Sequence, residues 1–205
     1  MSGAVVGVIL AGGLARRMGG GDKCLLPLGE RPLLWHVIER ARPQVAALAL
    51  NANGDPARFA SFGLPVVADG IEGFAGPLAG VLAGMDWALA QVPEADWLVT
   101  FASDTPFFPL DLVARLRAAV DANRAELACA SSGGRRHPVF GLWPLALRDA
   151  LERAMREEGI RKIDLFTADH RLAIVDWPVE PFDPFFNVNR PEDLDEARRL
   201  LARAF

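Results

Sequence analysis

Short apolar runs of strand length alternate along the chain with amphipathic stretches of helical length. Residues 4–10 form an unbroken apolar run that predicts a buried first strand, and a glycine-rich loop follows to about Lys23. Residues 32–42 place Leu33, Leu34, Val37, Ile38 and Ala41 at the spacing of one helical face. Residues 45–50 predict a second strand, 56–62 a short helix and 64–68 a third, shorter strand. A helix rich in Ala, Leu and Met is expected over 78–91, a fourth strand over 97–102 and another helix over 110–123. Residues 126–130 and 139–143 read as further strands. Residues 145–157 and 191–203 read as helices, the last with Pro191 in its first turn. The pattern assigns no element between 157 and 191.

Alternation of this kind implies a three-layer αβα, Rossmann-like domain with a mainly parallel central sheet and helices on both faces. Its ligand site then belongs beyond the carboxyl ends of the strands, where the strand order reverses. With 205 residues, 51% of them hydrophobic, the chain can bury one sizeable core. No repeat, low-complexity tract or linker divides it, so a single domain over residues 1–205 is expected.

Charge and cysteine content narrow the function. A net charge of −4 gives no general attraction to nucleic acid, so any bound anion needs a local site. The apolar start has no basic leader, and Arg16, Arg17, Asp22 and Lys23 follow closely, which argues against a signal segment or a membrane span. Cys24 and Cys129 lie far apart and form no CxxC pair, so neither zinc nor a disulfide framework is indicated and a reducing cytoplasm is expected.

The loop after the first strand reads Leu10-Ala11-Gly12-Gly13-Leu14-Ala15-Arg16-Arg17-Met18-Gly19-Gly20-Gly21-Asp22-Lys23. Glycines let backbone N–H groups surround phosphate oxygens, and Arg16, Arg17 and Lys23 add positive charge at the same place. It is not a Walker A loop, for no Gly-Lys-Ser/Thr occurs, and adjacent Gly12 and Gly13 do not fit G-x-G-x-x-G. Asp104, in Ser103-Asp104-Thr105-Pro106, sits where a carboxylate at a strand end can hold Mg²⁺ against phosphate oxygens. A turn or helix-cap Asp is the alternative reading. Asn51 ends the second strand and Asp69 the third, and turn chemistry explains either as well as ligand binding does. Gly76-Pro77-Leu78-Ala79-Gly80 opens a helix whose free N–H groups suit an anion. Near the end, Phe182-Asp183-Pro184-Phe185-Phe186-Asn187-Val188-Asn189 combines aromatic rings that suit either a core or a flat ligand with two asparagines.

Taken together, these segments resemble molybdenum cofactor guanylyltransferases, nucleotidyltransferases with a glycosyltransferase-A-like αβα fold. The loop is similar to their LAGGxSxRMGxDK signature, with Ala15 where a small hydroxyl is usual. Ser103–Pro106 resembles their CDxP motif, residues 76–80 their GPLAG segment and residues 185–194 their FxNVNTPEDL motif, with Arg190 in place of Thr. The resemblance runs from Leu10 to Leu194, and its motifs fall in family order. It implies transfer of GMP from MgGTP, with Mn²⁺ as a possible substitute, to molybdopterin, with pyrophosphate released. Leu10, Ala11, Gly12 and Gly13 would cradle GTP, Lys23 and Arg17 would grip its triphosphate, and Asn51 and Asp69 would meet its base or ribose. Asp104 would hold the metal, and Asn187 and Asn189 the molybdopterin, with Asn189 as a candidate second metal contact. Arg135-Arg136-His137-Pro138 and Arg161-Lys162 match basic segments of the family that are candidates for the acceptor phosphate or for plain solvated surface. The resemblance also implies transient contact with molybdenum-insertion and molybdoenzyme-maturation proteins. The double glycine favours this branch over cytidylyl or sugar-1-phosphate transferases, whose loop carries LAAG. A non-catalytic nucleotide-binding protein of the same fold is the rival from another class.

Overall fold

A computed structural model describes residues 3–11, 22–71 and 76–204. Among the described residues, nine strands and six α-helices follow one another in chain order. They are β1 (Ala4–Leu10), β2 (Pro27–Leu28), β3 (Arg31–Pro32), α1 (Leu33–Ala41), β4 (Leu48–Asn51), β5 (Val66–Val67), α2 (Pro77–Gln91) and β6 (Ala95–Ala102). Then come α3 (Leu112–Asn123), β7 (Leu127–Ser132), β8 (Arg135–Pro144), α4 (Arg148–Arg156), α5 (Ile163–Thr167), β9 (Leu172–Trp177) and α6 (Pro191–Ala204). Seven strands make one sheet in the order β5-β4-β1-β6-β8-β7-β9, while β2 and β3 form a separate small ribbon. The neighbours of β1 run parallel to it, as do β5 to β4 and β9 to β7, whereas β8 runs antiparallel to both β6 and β7. The mainly parallel sheet expected from the alternation is present, with one reversed strand.

Side chains alternate across the sheet and supply two cores. On one face, Ile9, Val99, Phe101, Phe140 and Leu142 pack against α1, α3 and α6. On the other, Val6, Val8, Leu98 and Trp143 pack against α2, α4 and α5. Helix α2 is apolar nearly all round, which fits a helix pressed against the middle of the sheet.

Four of the described elements escape the sequence pattern, the two-residue strands β2 and β3 together with α5 and β9. In β9 the buried positions Ala173, Val175 and Trp177 alternate with others, but Ile174 on the solvent side hides the alternation. The predicted helix over 56–62 is a 3₁₀ segment with Pro56 in its first turn, capped by Asp55 Oδ1, which accepts from Ala57 N at 2.9 Å. The third strand shrinks to two residues, and the helix expected from residue 145 begins as a 3₁₀ turn before α4.

From β1 the chain builds outward through β4 to β5, then returns to place β6 on the other side of β1. The order therefore reverses between β1 and β6, and the crevice beyond their carboxyl ends is the expected ligand site.

Candidate active site at the switch point

β1 and β6 finish side by side, with Leu10 paired to Ala102, and Ser103 N donates to Leu10 O at 3.3 Å. Ala11 is buried, and its N–H donates to Asn51 O at 2.8 Å. Those two ties fix Leu10 and Ala11 at the mouth of the crevice. Gly12, Gly13, Arg16 and Arg17 lie outside the described residues, so their expected part in the phosphate grip is not placed.

The chain re-enters at Asp22, and a 3₁₀ turn over Lys23–Leu25 follows. Cys24 is its buried anchor, and burial together with the neighbouring Asp22 charge pushes its thiol up to about 12. Cys129 is likewise a buried free thiol, pushed up to about 12 by burial, so neither cysteine offers a nucleophile near neutral pH. With its neighbour fixed in the core, Lys23 reaches across the crevice. Its Nζ donates to Asp104 Oδ2 at 2.6 Å and to Asn189 Oδ1 at 2.8 Å. Three residues singled out in separate parts of the sequence thus converge on one point. The side chains of Lys23 and Asp104 are only 18% and 20% exposed, so water screens this contact weakly.

The asparagines of the closing motif are held by the strand end that carries Asp104. Val188 N donates to Asp104 O at 2.9 Å, and Thr105 Oγ1 donates to Asn187 Oδ1 at 2.6 Å. The N–H groups of Asn189 and Arg190 donate to Asp193 Oδ2 at 2.8 and 2.9 Å, a cap on the first turn of α6 that fixes the Asn189 backbone.

Asn51 and Asp69 form a second group, beyond β4 and β5. Asn51 Nδ2 donates to Asp69 Oδ1 at 2.8 Å, and Asn53 Nδ2 to Asp69 Oδ2 at 2.7 Å. Asn53 Oδ1 accepts from Asp69 N at 2.9 Å. Gly80 of α2 lies directly over Asn51, and a Cβ there would come within 2.4 Å of Asn51 Oδ1. Helix α2 can therefore approach the strand ends only with glycine at that position. Gly76, just before the helix, has φ of 72° and faces Arg161 O.

Arg58 joins the two groups. Its Nε pairs with Asp22 Oδ2 at 2.8 Å and its Nη2 donates to Asn53 O at 2.5 Å. Arg58, Asn53, Thr105 and Asp193 were not singled out in the sequence. Only Asp193 carried a signal there, as the acidic residue three places after the loop residue Arg190.

The remaining candidates separate cleanly. Phe185 is core, buried against Phe140 and Trp177 and stacked on His137 at 4.5 Å. Phe182 packs edge-on against Phe107, and Phe186 is partly buried against the same core. His137 Nε2 lies 2.7 Å from Ser132 Oγ, which donates to Asp183 Oδ1 at 2.7 Å. Burial holds the imidazole below its ordinary range, with Asp183 partly opposing that shift. Arg161 spends its guanidinium on Met155 O and Ile160 O, while Arg135, Arg136 and Lys162 are exposed.

A model of the MobA-like NTP transferase domain matches residues 7–171. The chain belongs to the MobA-like NTP transferase family. It is 58% identical over 200 residues to the molybdenum cofactor guanylyltransferase of Rhodopseudomonas palustris (strain BisB5), covering 98% of this chain and 95% of that one. Identity to the protein of the same name from Bradyrhizobium sp. (strain ORS 278) is 58% over 199 residues, covering 97% and 94%.

Solved structures share the MobA-like fold at lower identity. Molybdopterin-guanine dinucleotide biosynthesis protein A from Archaeoglobus fulgidus superposes with a TM-score of 0.73 at 24% identity, over 97% of this chain and 99% of that one. A 4-diphosphocytidyl-2C-methyl-D-erythritol synthase from Anaerococcus prevotii reaches 0.76 at 12% identity, over 98% and 97%. The architecture thus outlasts the sequence, and the identity of the substrate has to be argued from the site.

Proposed function

We propose that this chain is a molybdenum cofactor guanylyltransferase, which transfers GMP from GTP to molybdopterin and releases pyrophosphate. The observation that carries the reading is the meeting of Lys23, Asp104 and Asn189 at the switch point of a chain 58% identical to relatives of that name. Because the main sheet takes strands from both ends of the sequence, we read residues 1–205 as one domain.

The donors suit a hard divalent cation. Asp104 Oδ2 and Asn189 Oδ1 are both oxygens, and both already face a single positive centre, the Lys23 ammonium. Asp104 supplies one carboxylate oxygen and Asn189 one amide oxygen at that point. That matches Mg²⁺, which favours one or two carboxylates plus substrate phosphates, and Mn²⁺ takes the same oxygen donors. Bound there, the ion would neutralise charge on the α-phosphate and on the departing pyrophosphate.

Everything else is assigned to the chain itself. Leu10 and Ala11 anchor the start of the GTP-binding loop, the Ala11 N–H being given to Asn51 O, while Gly12 and Gly13 are assigned the phosphate cradle and Lys23 and Arg17 the triphosphate grip. Asp69, oriented by Asn51 and Asn53, offers a carboxylate to the paired N–H donors of guanine, a pair that cytosine lacks. Asn187 and Asn189 stand on the acceptor side and keep the molybdopterin phosphate in line with the α-phosphorus. An oxygen of that phosphate forms the new P–O bond while the bond to the β-phosphate breaks. A phosphate monoester is largely dianionic near neutral pH, so the reaction needs no general base, and His137 is left out of it. Positioning and charge neutralisation supply the rate. We place the reaction in the cytoplasm, with the product passed to molybdoenzyme-maturation proteins. Among the described residues no helix is long and apolar enough to cross a membrane.

The test is incubation of the purified protein with molybdopterin, Mg²⁺ and each nucleoside triphosphate in turn, followed by mass identification of the dinucleotide. GTP is expected to give the product. Preferential turnover of CTP, or preferential product formation when a sugar 1-phosphate is supplied in place of molybdopterin, overturns the reading in favour of the corresponding transferase.

A further inference from the structure

Lys23 stands where a metal ion is expected. Its ammonium contacts the same two oxygens that are assigned to the divalent cation, at 2.6 Å from Asp104 and 2.8 Å from Asn189. Mg²⁺ binds such oxygens at about 2.0–2.1 Å, so a cation and the ammonium cannot share them without severe crowding and charge repulsion. The charge at this point is already balanced. Asp104 is neutralised by Lys23, and Asp22, the carboxylate next to Lys23, is neutralised by Arg58 at 2.8 Å. The backbone beneath Lys23 is anchored by buried Cys24, which leaves the side chain as the part free to swing.

We infer that Lys23 is a resident cation. It holds Asp104 and Asn189 together in the free enzyme and leaves them only when a triphosphate draws its ammonium away. Lys23 therefore closes the site to a lone divalent ion and opens it to one arriving with nucleotide. This rests on the reading of the site as a Mg²⁺–GTP site. It adds an order of binding and gives Lys23 a second task, that of pre-positioning the closing motif against the end of β6.

Two measurements test it. In the first, Mn²⁺ is titrated against wild type, Lys23→Met and Lys23→Gln, with free Mn²⁺ followed by electron paramagnetic resonance. Each titration is run with and without a non-hydrolysable α,β-methylene GTP analogue. Without analogue, both variants are expected to bind Mn²⁺ at least tenfold more tightly than wild type, and with analogue wild type gains affinity. If wild type alone binds Mn²⁺ as tightly as the variants, the inference is overturned while the metal site stands. If no protein binds Mn²⁺ even with the analogue, the metal site itself is wrong and the inference falls with it. The second measurement needs no variant. The chain has two lysines, Lys23 and Lys162, so ¹⁵N-lysine NMR resolves the Lys23 ammonium. Its resonance should ignore Mg²⁺ alone and shift when the analogue is added, and a shift with Mg²⁺ alone overturns the inference.

Discussion

Thr105 Oγ1 donates to Asn187 Oδ1 at 2.6 Å, and one residue away on each side Val188 N donates to Asp104 O. The strand end that carries Asp104 and the motif that carries Asn189 are therefore joined side by side. Thr105 is fully buried, so no water replaces a lost partner. Asn187→Ala should cost about 1–3 kcal/mol of stability and lower turnover, with GTP affinity within about threefold of wild type. A threefold change is about 0.65 kcal/mol, a fair bound for an indirect effect. Urea unfolding of Asn187→Ala, Thr105→Val and the double variant should give a double-variant cost smaller than the sum. Strict additivity would show that the contact carries no energy.

Asp104→Asn should cut turnover at least tenfold. It keeps the shape of the side chain but removes the charge that faces Lys23 and the proposed metal. The backbone contact from Val188 does not depend on that charge, so the melting temperature should stay near that of wild type. Near-normal turnover in a well-folded variant rules the assignment out.

Lys23→Ala should weaken GTP far more than GMP, since the missing partner is phosphate charge and not base. One charge-assisted contact is worth roughly 1.5–3 kcal/mol, about ten- to a hundredfold in affinity. Calorimetry with both nucleotides checks this, and equal losses would move Lys23 to the base side.

Gly80→Ala tests the other end of the nucleotide. The added methyl would lie 2.4 Å from Asn51 Oδ1, and Asn51 is itself buried and bonded to Asp69. Overpacking of this kind costs about 1–3 kcal/mol. Relief by moving Asn51 also disturbs Asp69, so KM for GTP should rise while kcat at saturation changes less. A fall in kcat with unchanged KM contradicts a base-binding role for this pair.

The pH dependence of stability should carry the mark of His137. Burial depresses its folded-state pKa, so the unfolded chain takes up a proton first as pH falls. The stabilisation is fully present above the ordinary histidine pKa of about 6.5 and is lost as pH falls through the lower folded value. Melting temperatures measured from pH 8 down to pH 5 should drop more steeply in wild type than in His137→Gln. Parallel curves would mean that this histidine is solvated.

Local chemistry was legible without the fold. The apolar run of β1, the helical faces of α1 and α3, and the start of α6 at Pro191 all follow from spacing and backbone preference within a few residues. Strand–helix alternation implied the parallel sheet, and the Lys23 loop stood out because glycines and basic residues suit phosphate, whereas Asp104 also read as a turn or cap residue and became the metal candidate through the family resemblance. Strand β9 did not stand out, because Ile174 looks apolar in sequence whether it faces core or water, and only the neighbouring β7 gives that strand a place. Nor could sequence separate Phe185 as core from Phe185 as ligand platform, since the His137 and Trp177 contacts that bury it come from β8 and β9. The meeting of Lys23 with Asn189 spans 166 residues of sequence. No local propensity encodes it. The order of strands in the sheet brings β1 and β6 together, and the Thr105–Asn187 bond then brings the closing motif to the site. Sequence set which groups were available, and tertiary structure decided which of them share a point in space, because distance through the chain says nothing about distance through the fold.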